Sequence, residues 1–381
     1  MLTWSGRVLS ALAVLLVVAG VLLDYPEILT LGLACLLALI ASGGWMLVRP
    51  SVVAVREISP RRVAEGDPAQ GLLILRNDGR HRSPPVIAIE HVADREVVVP
   101  LPSLAPGAEH RTTYPLPTGR RGVFTVGPLT IGHSDPLMLM HTAARVAATS
   151  SLTVHPRVHR VLPLPAGQSQ DFDGPTSSSA PRGGIAFHQL AEYVPGDDIR
   201  LIHWLSTART GTLMVRHNVV PNEARLTVIL DTSEDPYTAE SFEDAVRVAA
   251  SLCMAACRAG YPLLFRTTGG VVARWERGSA GRDSLLDALA GVERTPVDRG
   301  LAALSASTAE PNATSLAVVT GTAGASGRAR VEAISDRFQM VSLVQLGQSA
   351  EGRRVGGRGI VTLATSTSQD FATLWNKQVR V

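Results

Sequence analysis

Residues 192–215 read EYVPGDDIRLIHWLSTARTGTLMV, a stretch that combines charged residues with tyrosine, histidine and tryptophan. Pro195 and Gly196 predict a turn, because proline presets the backbone at the second turn position and glycine accepts a positive φ at the third. Asp197 or Asp198 is then expected to cap a helix, since its side chain can accept hydrogen bonds from the free amides of the first turn.

The residues after this turn predict a short helix and then a strand. Apolar positions recur at helical spacing, Gly211 lies where the helix would end, and an apolar strand is expected from Leu213. Arg200, His203 and Trp204 are expected within about one helical turn of one another. The local prediction is therefore turn, helix, turn and strand.

This segment resembles the signature of domain-of-unknown-function family 58, through the pattern E-Y-x-P-G-D-D-x-R-x-I-H-W-x-x-x-A-R-T-G-x-L-x-V. That family comprises membrane-associated bacterial proteins with a von Willebrand factor A-like domain. The resemblance implies a doubly wound α/β domain and assigns it no settled activity. The positions that carry the resemblance are Glu192, Tyr193, Gly196, Asp197, Arg200, His203, Trp204, Ala208, Arg209, Leu213 and Val215.

One hypothesis for the signature is hydrolysis. Asp197, His203 and Ser206 are the residue types of a catalytic triad, in which an aspartate orients a histidine that activates a serine. Against this hypothesis, the histidine and serine lie three positions apart on one short helix, and no G-x-S-x-G elbow is present.

Two other hypotheses require no catalysis. In a structural role, Trp204 packs on a sheet while Arg200 and Arg209 pair with Glu192 or Asp198. In a recognition role, the same arginines and aromatic residues form a binding surface, because arginine, tryptophan and tyrosine are enriched at interface hot spots.

Composition limits the remaining possibilities. At 381 residues the chain can hold two or three domains, and its net charge of +3 with scattered arginines gives no reason to expect nucleic-acid binding. No G-x-x-x-x-G-K-[ST] motif is present, and the RRVGGRG stretch at residues 353–359 lacks the lysine of a phosphate loop. We therefore expect no nucleotide to be bound by this chain itself.

Residues 1–50 predict a membrane anchor of two helices, at about 8–23 and 28–48. The runs 9–23 and 28–48 are apolar and uncharged, and about 20 such residues span a bilayer. A cleaved signal peptide is the alternative for the first run, but a second apolar run follows at once and no clear A-x-A cleavage site precedes Asp24 at the end of the first run.

The charged flanks predict the orientation of this hairpin. The charged residues of the connection DYPE are both acidic, whereas arginines flank the outer ends of the hairpin. Arginine concentrates on the cytoplasmic side of a membrane. We expect a two-helix protein of the cell membrane with both termini and its soluble domains in the cytoplasm. The flanking arginines are Arg7, Arg49, Arg56, Arg61 and Arg62.

Residues 51–160 predict an all-β, sandwich-like domain. Short apolar runs separated by Gly, Pro and Asp are typical of antiparallel strands, and 77–79 (Asn-Asp-Gly) predicts a hairpin turn. The segment RRGVFTVGPL followed by DPL at 135–137 is similar to the upstream segment of the same family. The runs are GLLILRNDG, PVIAIEHV, REVVVPL, EHRTTYPL, GVFTVGPLTIG and ATSSLTVHP.

Residues 161–186 are rich in Pro, Gly and Ser, which predicts a linker or mobile loop. From residue 187 to 381, strands and helices alternate, which predicts a parallel sheet and agrees with the α/β domain implied by the resemblance. Cys253 and Cys257 are expected to be buried core residues, since no further metal-binding residue joins them. Strands are predicted at 226–230, 262–266, 316–320 and 340–346, and helices at 242–259, 283–292 and 331–337.

Asp231 follows a buried strand, where doubly wound sheets bind ligands. The resemblance implies a D-x-S-x-S magnesium site that also uses a threonine and an aspartate from later loops. Asp231 and Ser233 match that pattern, whereas Asp235 replaces the second serine and Thr320 follows a later strand where aspartate is expected. The alternative is that residues 233–235 cap the helix that begins near Thr238.

The function that we expect is protein interaction. Proteins that resemble this chain commonly act beside AAA+ ATPases of the MoxR type, which implies a membrane-anchored cytoplasmic adaptor that is not an enzyme. The alternative is a Mg²⁺-dependent hydrolase that uses Asp231 and the signature at 192–209. A structural membrane component without a switchable partner is the third hypothesis.

Overall fold

The computed structural model describes residues 2–47, 51–92, 95–164, 187–195, 197, 199–219, 225–279, 281–305, 314–347, 352–355 and 360–378. Two compact units divide the chain, Met1–Arg157 and Val158–Val381. This boundary falls close to the end of the predicted β-domain.

The first unit begins with two long apolar helices, α1 (Trp4–Leu22) and α2 (Pro26–Met46). Thr3 caps α1 by accepting from the Gly6 amide at 3.1 Å, and proline opens α2 at a position where no amide donor is needed. Helices of 19 and 21 residues are about 28 and 32 Å long, and both are long and apolar enough to cross a membrane.

Glycines let the two helices approach each other closely. A Cβ on Gly20 would lie 2.6 Å from the Leu29 amide nitrogen, and a Cβ on Gly32 would lie 2.8 Å from Val17. Small residues at such crossings allow backbones to pack in direct contact, as they do in membrane helix pairs.

Within its described residues, the first unit continues with nine strands that form two sheets. β1, β3 and β6 form an antiparallel sheet, and β2, β9, β7, β4 and β5 form the other in that order, with β8 paired to β7. Alternating side chains from both sheets, such as Leu73 and Val154, share one apolar core, in agreement with the predicted β-domain. The strands are β1 (Val52–Ser59), β2 (Arg62–Ala64), β3 (Ala69–Asn77), β4 (Val86–Val92), β5 (Arg95–Leu101), β6 (Glu109–Leu116), β7 (Gly122–Ser134), β8 (His141–Ala147) and β9 (Ser150–His155).

A buried polar cluster joins the two sheets. Arg56 on β1 forms an ion pair with Glu90 on β4, and the Tyr114 hydroxyl on β6 donates to the same carboxylate. Arg56 also donates to the Ser150 hydroxyl at 2.6 Å and to the Val126 carbonyl at 3.1 Å. Burial raises the pKa of the Glu90 carboxyl above its ordinary value, and Arg56 opposes that shift.

The predicted hairpin turn at residues 77–79 is wrong. β3 pairs with β1 and β6, so the chain leaves the first sheet at Asn77 and crosses to β4 in the second sheet. The Asn77 side chain accepts from the Gly79 amide at 3.0 Å and donates to the His81 and Leu104 carbonyls at 2.9 Å each. An Asn-Asp-Gly sequence therefore supports a crossover loop here, because the asparagine satisfies loop carbonyls that no strand would reach.

The second unit combines a two-stranded hairpin with a larger α/β sheet. Its helices are α3 (Trp204–Thr210), α4 (Ala239–Ala259), α5 (Arg282–Ala290), α6 (Ala325–Ser335) and α7 (Ser368–Gln378). Its strands are β10 (Phe187–Glu192), β11 (Met214–Val219), β12 (Leu226–Leu230), β13 (Leu263–Thr267), β14 (Val272–Trp275), β15 (Ser315–Thr320), β16 (Met340–Leu346), β17 (Gly352–Val355) and β18 (Ile360–Thr365).

The larger sheet has the order β14-β13-β12-β15-β16-β18-β17. Its five central strands are parallel, and the edge strands β14 and β17 are antiparallel to their neighbours. One face packs residues such as Val228 and Phe265 against α4, α5 and α7, and the other packs Ile229 and Val318 against α6. Helices thus cover both faces, and the seven strands and helices predicted between residues 226 and 346 are present.

Cys253 and Cys257 lie on the buried side of α4, as predicted. Burial raises the pKa of the Cys257 thiol to about 11, so this thiol is protonated at neutral pH. In the described part of the chain, no group of three or more His, Cys, Asp or Glu residues is arranged to hold a metal ion.

The predicted linker is wrong at its start. Val161 and Leu164 are buried in the core of the second unit. The Leu162 amide donates to the Asn376 side chain at 2.8 Å, and the Trp375 indole donates to the Leu162 carbonyl at 2.8 Å. These residues pack on α7, an element that the sequence reading missed, and residues 165–186 lie outside the described part of the chain.

Candidate functional site

The signature forms the end of an antiparallel hairpin. β10 and β11 pair from Phe187 with Val219 to Glu192 with Met214. The ladder continues beyond the strands, because the Tyr193 amide donates to the Leu213 carbonyl at 2.8 Å. The residues between the two strands therefore project from one end of a short two-stranded ribbon.

Asp197 stabilises the turn at the start of this segment through two hydrogen bonds with Val194. Its carboxylate accepts from the Val194 amide at 3.0 Å, and its own amide donates to the Val194 carbonyl at 3.0 Å. Gly196 and Asp198 lie outside the described residues, so the predicted roles of these two positions stay predictions. The prediction that Asp197 caps the helix is wrong, because its carboxylate accepts from the amide of Val194, three residues upstream.

His203 is the N-cap of α3 instead. Its Nδ1 accepts from the Ser206 amide at 3.3 Å and contacts the Ser206 hydroxyl at 2.7 Å. The segment expected as one helix is divided, since a 3-10 turn at Ile199–Leu201 precedes α3 and Ile202 forms a β-bridge with Val215 between them. The predicted end is confirmed, because Gly211 caps α3 in the left-handed conformation, with φ of 76°.

Two hydrogen bonds with Met214 hold α3 against the strand β11. The His203 amide donates to the Met214 carbonyl at 2.7 Å, and the Met214 amide donates to the Thr207 hydroxyl at 3.0 Å. The helix has only seven residues and would be marginal alone. Its position is therefore set by the ribbon rather than by a buried apolar face.

Large apolar side chains of the signature face solvent. Trp204 is 67% exposed and Leu205 is 69% exposed, so the hypothesis that Trp204 packs on a sheet is wrong. We call this group the signature surface. Its exposed apolar members are Val194, Ile199, Leu201, Trp204, Leu205 and Leu213.

Charged members of the signature are exposed as well. Glu192, Arg200 and Arg209 are exposed, and Tyr193 is half-buried. Glu192 and Arg209 form no ion pair with each other in the described part of the chain. Exposed tryptophan and arginine are residue types that are enriched at protein interfaces.

The hydrolase geometry is incomplete. His203 and Ser206 are in contact, as a base and a nucleophile must be, but the same histidine atom caps the helix. The Asp197 carboxylate accepts from the Val194 amide, and no hydrogen bond joins it to His203 among the described residues. The third member of the triad is thus not in place to orient the imidazole.

A second polar cluster lies at the carboxyl ends of three neighbouring strands. The register pairs Leu230 with Thr267 on β13 and with Val319 on β15, which places Asp231 between Thr268 and Thr320. The Asp231 carboxylate accepts from the Thr320 hydroxyl at 2.8 Å and from the Ser233 hydroxyl at 2.7 Å. Asp231 and Thr320 are buried at the point where the chain order of the sheet reverses, which is where open α/β sheets bind ligands.

Asp298 brings a second carboxylate to this cluster from the loop before Gly300. It accepts from the Thr232 hydroxyl at 2.7 Å and from the Thr268 hydroxyl, and its other oxygen accepts from the Gly300 amide at 2.9 Å. The Thr268 hydroxyl lies 3.5 Å from Asp231, so it joins the two aspartates. We call Asp231, Ser233, Thr268, Asp298 and Thr320 the sheet-end cluster.

Gly300 packs closely against this cluster because it has no side chain. Its φ is +56°, and a Cβ there would lie 2.5 Å from the Ser233 hydroxyl and 2.9 Å from Asp231. A residue other than glycine would therefore displace the hydroxyl that contacts the aspartate.

The structure separates the three predicted metal ligands. Asp231 and Ser233 are in contact, whereas Asp235 is exposed and makes no contact with the cluster among the described residues. The capping alternative for residues 233–235 is wrong, because Thr238 and Ser241 cap α4 through a reciprocal capping box.

A buried tyrosine also contacts Asp231. The Tyr237 hydroxyl donates to the Asp231 carbonyl at 2.9 Å, and burial together with the nearby Asp231 charge raises the Tyr237 pKa well above its ordinary value. Sequence reasoning missed Thr268, Asp298 and Gly300. Thr268 directly follows the observed strand β13 and lies two residues beyond the predicted strand, whereas Asp298 lies in a loop whose path the sequence does not reveal.

Comparisons with known proteins give one informative match. The family model described as "Protein of unknown function DUF58" matches residues 189–331, which include the signature and all members of the sheet-end cluster. A comparison with curated proteins finds no match.

Solved structures resemble parts of the chain only weakly. They include the CARDB domain of a Pyrococcus furiosus protein in complex with di-metal ions, at 15% identity, covering 28% of this chain and 93% of that one, with a TM-score of 0.21. A putative ApaA protein from Bordetella pertussis has 18% identity, coverage of 28% and 94%, and a TM-score of 0.20. A domain of a putative cell surface protein from Methanosarcina acetivorans has 17% identity, coverage of 28% and 91%, and a TM-score of 0.20. These scores are too low to support an argument about function.

Proposed function

We propose that this chain is a membrane-anchored cytoplasmic adaptor whose signature surface binds a protein partner. The observation that carries the proposal is the exposure of Trp204 and Leu205 in the segment that joins the paired strands β10 and β11. Several large apolar residues exposed within one short segment are candidates for a protein-binding surface. The partner buries these side chains and contacts the exposed arginines of the signature.

The partner that we propose is an AAA+ ATPase of the MoxR type. This identity rests only on what the resemblance of the signature to family 58 implies. The family match to residues 189–331 supports that resemblance. Cytoplasmic orientation follows from arginines on the outer flanks of the helices and acids in their connection. A cytoplasmic ATPase can then reach the signature surface.

The α/β unit is proposed to be von Willebrand A-like. Without the edge strand β17, the order β14-β13-β12-β15-β16-β18 follows the 3-2-1-4-5-6 pattern of doubly wound folds. The sheet-end cluster also supports this assignment, because the expected threonine and aspartate are both present with exchanged positions. Asp298 comes from the earlier loop, and Thr320 follows the later strand.

Mg²⁺ fits the residues of the sheet-end cluster. Two carboxylates and three hydroxyls converge there, and all of them can bind a cation through oxygen. Asp231 and Asp298 would supply the charge, and Ser233 and Thr320 would supply neutral ligands. A bound Mg²⁺ would offer positive charge to an oxygen ligand of the partner or substrate.

A Mg²⁺-dependent hydrolase is the second candidate. The approach of two carboxylates at the point where strand order reverses favours it. The sheet-end cluster contains no histidine or lysine that could serve as a general acid or base, and for this reason the adaptor is preferred.

Affinity capture separates the two candidates. The tagged full-length chain is captured from gently solubilised membranes with and without ATP and Mg²⁺, beside Trp204→Ala/Leu205→Ala and Arg200→Ala variants. Val272→Ala is the matched control, since Val272 is an exposed apolar residue on the edge strand β14. An AAA+ ATPase that is recovered with wild type and the control, and lost with the signature variants, supports the adaptor.

Recovery of no specific partner, together with loss of cellular function in an Asp231→Ala variant that still folds, would refute the adaptor and favour the hydrolase. An Asp231→Ala variant with unchanged Mg²⁺ affinity and phenotype would exclude the hydrolase.

A further inference from the structure

The turn of residues 135–140, which joins β7 to β8, is attached to the start of the first apolar helix. The Thr3 amide donates to the Leu139 carbonyl at 3.0 Å, and the Thr3 hydroxyl donates to the Met138 carbonyl at 2.8 Å. A Cβ on Gly6 would lie 2.2 Å from the Leu139 oxygen, so glycine is needed for the turn to lie this close to the helix.

The same turn is attached to the end of the second helix. The Ser42 hydroxyl donates to the Asp135 carboxylate at 2.9 Å, and both groups are buried. Asp135 also accepts from the Leu137 amide at 3.0 Å and from the Met140 amide at 2.6 Å. Burial opposes ionisation, but these three donors outweigh it and hold the Asp135 pKa below its ordinary value.

The contacted helix residues lie at the level where the bilayer would meet water. Trp4 and Trp45 are exposed at the two helix ends, and Arg7 is exposed one turn into α1. Tryptophan concentrates at the membrane interface, and arginine near a helix end extends its charge toward the headgroups. Ser42 precedes Trp45 by three residues, so the turn is held at or just inside this level.

The outer side of the turn is apolar and exposed. Leu137 is 55% exposed and Met138 is 70% exposed, while Leu139 is buried behind them. Met138 has a φ of +54°, a region that side chains other than glycine, Asn and Asp rarely adopt. Two large apolar side chains are therefore exposed at a turn whose backbone is unfavourable at Met138.

We infer that residues 136–138 insert into the interfacial layer of the bilayer and form a third membrane contact of the chain. Insertion would bury Leu137 and Met138 among headgroups and upper acyl chains, where exposed apolar side chains are favourable. The contact would fix the orientation of the β-domain at the membrane, because the turn is part of the strand pair β7 and β8. This inference rests on the membrane anchor of the proposed function.

Cysteine labelling tests the inference in the full-length chain. Leu137→Cys and, separately, Met138→Cys are introduced with Cys35→Ala, and the protein is reconstituted into phosphatidylglycerol and phosphatidylethanolamine vesicles with its soluble part outside. The rate of reaction with a membrane-impermeant maleimide is then measured. Cys253 and Cys257 are buried and give only a baseline.

Val123→Cys is the matched control. Val123 is 56% exposed, nearly as much as Leu137, and lies on β7 roughly 36 Å along the strand from Ser134. Leu15→Cys, on the exposed side of α1, reports whether the helices are in the bilayer. Labelling after unfolding in detergent confirms that every cysteine is reactive.

We expect Leu137→Cys and Met138→Cys to react at least about ten-fold more slowly than Val123→Cys, at a rate closer to that of Leu15→Cys. Rapid labelling of both turn positions with slow labelling of Leu15→Cys would overturn the insertion and leave the anchor intact. Rapid labelling of Leu15→Cys would overturn the anchor together with the insertion.

Discussion

Substitution of Gly300 by alanine should disrupt the sheet-end cluster in a way that a second glycine substitution does not. Gly300 and Gly278 both have positive φ, of 56° and 81°. A Cβ at Gly278 meets nothing within 4 Å, whereas a Cβ at Gly300 lies 2.5 Å from the Ser233 hydroxyl and 2.9 Å from Asp231. The two variants therefore share the backbone cost and differ only in the steric clash.

The expected magnitudes follow from these contacts. A left-handed conformation costs an alanine about 1–2 kcal/mol relative to glycine, and this is the whole effect expected for Gly278→Ala. Gly300→Ala must also displace Ser233 from Asp231, and a buried carboxylate that loses a donor costs about 1–3 kcal/mol more. We expect Gly300→Ala to destabilise the second unit by about 2–5 kcal/mol.

Thermal unfolding with and without Mg²⁺ measures both effects. Trp275 and Trp375 are buried in the second unit, so a shift in their emission reports its unfolding. Mg²⁺ should stabilise wild type and Gly278→Ala by equal amounts and should give little stabilisation to Gly300→Ala. Equal stability and equal Mg²⁺ responses in the two variants would refute the assignment of Gly300 to this cluster.

Three further predictions concern buried side chains of the two units. Arg56→Met should destabilise the first unit by about 3–5 kcal/mol because it leaves Glu90 buried without its cation, and the double variant with Glu90→Leu should recover most of this loss in urea unfolding. Thr320→Val should cost about 1–3 kcal/mol because Asp231 loses a donor, whereas Thr227→Val should cost little, since the buried Thr227 hydroxyl has no partner among the described residues; equal losses would contradict this. Cys257 has its pKa raised from 9.0 to about 11, so its contribution to stability is full below pH 9 and is lost as the pH rises through 11. Cys257→Ala should weaken the pH dependence of unfolding in this range, and an unchanged profile would be the contrary result.

Much of the fold is visible in the sequence because its strands are short and clearly bounded. Six apolar runs of the β-domain correspond to strands, and LTVIL at residues 226–230 matches β12 at both ends. The parallel sheet follows from the alternation of strands with helices, which leaves few other arrangements. What the sequence does not reveal is which strands pair, as the loop at Asn77 shows.

The structure of the signature was less predictable because none of the residues of α3 is buried. Asp197 and His203 can each cap a helix, and the choice depends on the bridge between Ile202 and Val215, a contact that local sequence does not encode. The exposure of Trp204 has the same origin, since the ribbon fixes α3 through its backbone and leaves the indole in solvent.

The sheet-end cluster was predicted only in part. Asp231 and Ser233 are neighbours in sequence, so their contact follows from a strand-end motif. Asp298 is 67 positions from Asp231 and reaches the cluster through loop geometry. Asp235, which is close in sequence, is exposed, and Thr238 and Ser241 cap the helix in its place.

The most direct test of the adaptor is the affinity of the full-length chain in vesicles for a purified MoxR-type ATPase in the presence of ATP and Mg²⁺. Two central hot-spot residues at about 2 kcal/mol each predict that Trp204→Ala/Leu205→Ala weakens binding by at least about 100-fold, with Val272→Ala unchanged. Equal dissociation constants for wild type and the signature variant, or no binding by either protein, would contradict the account.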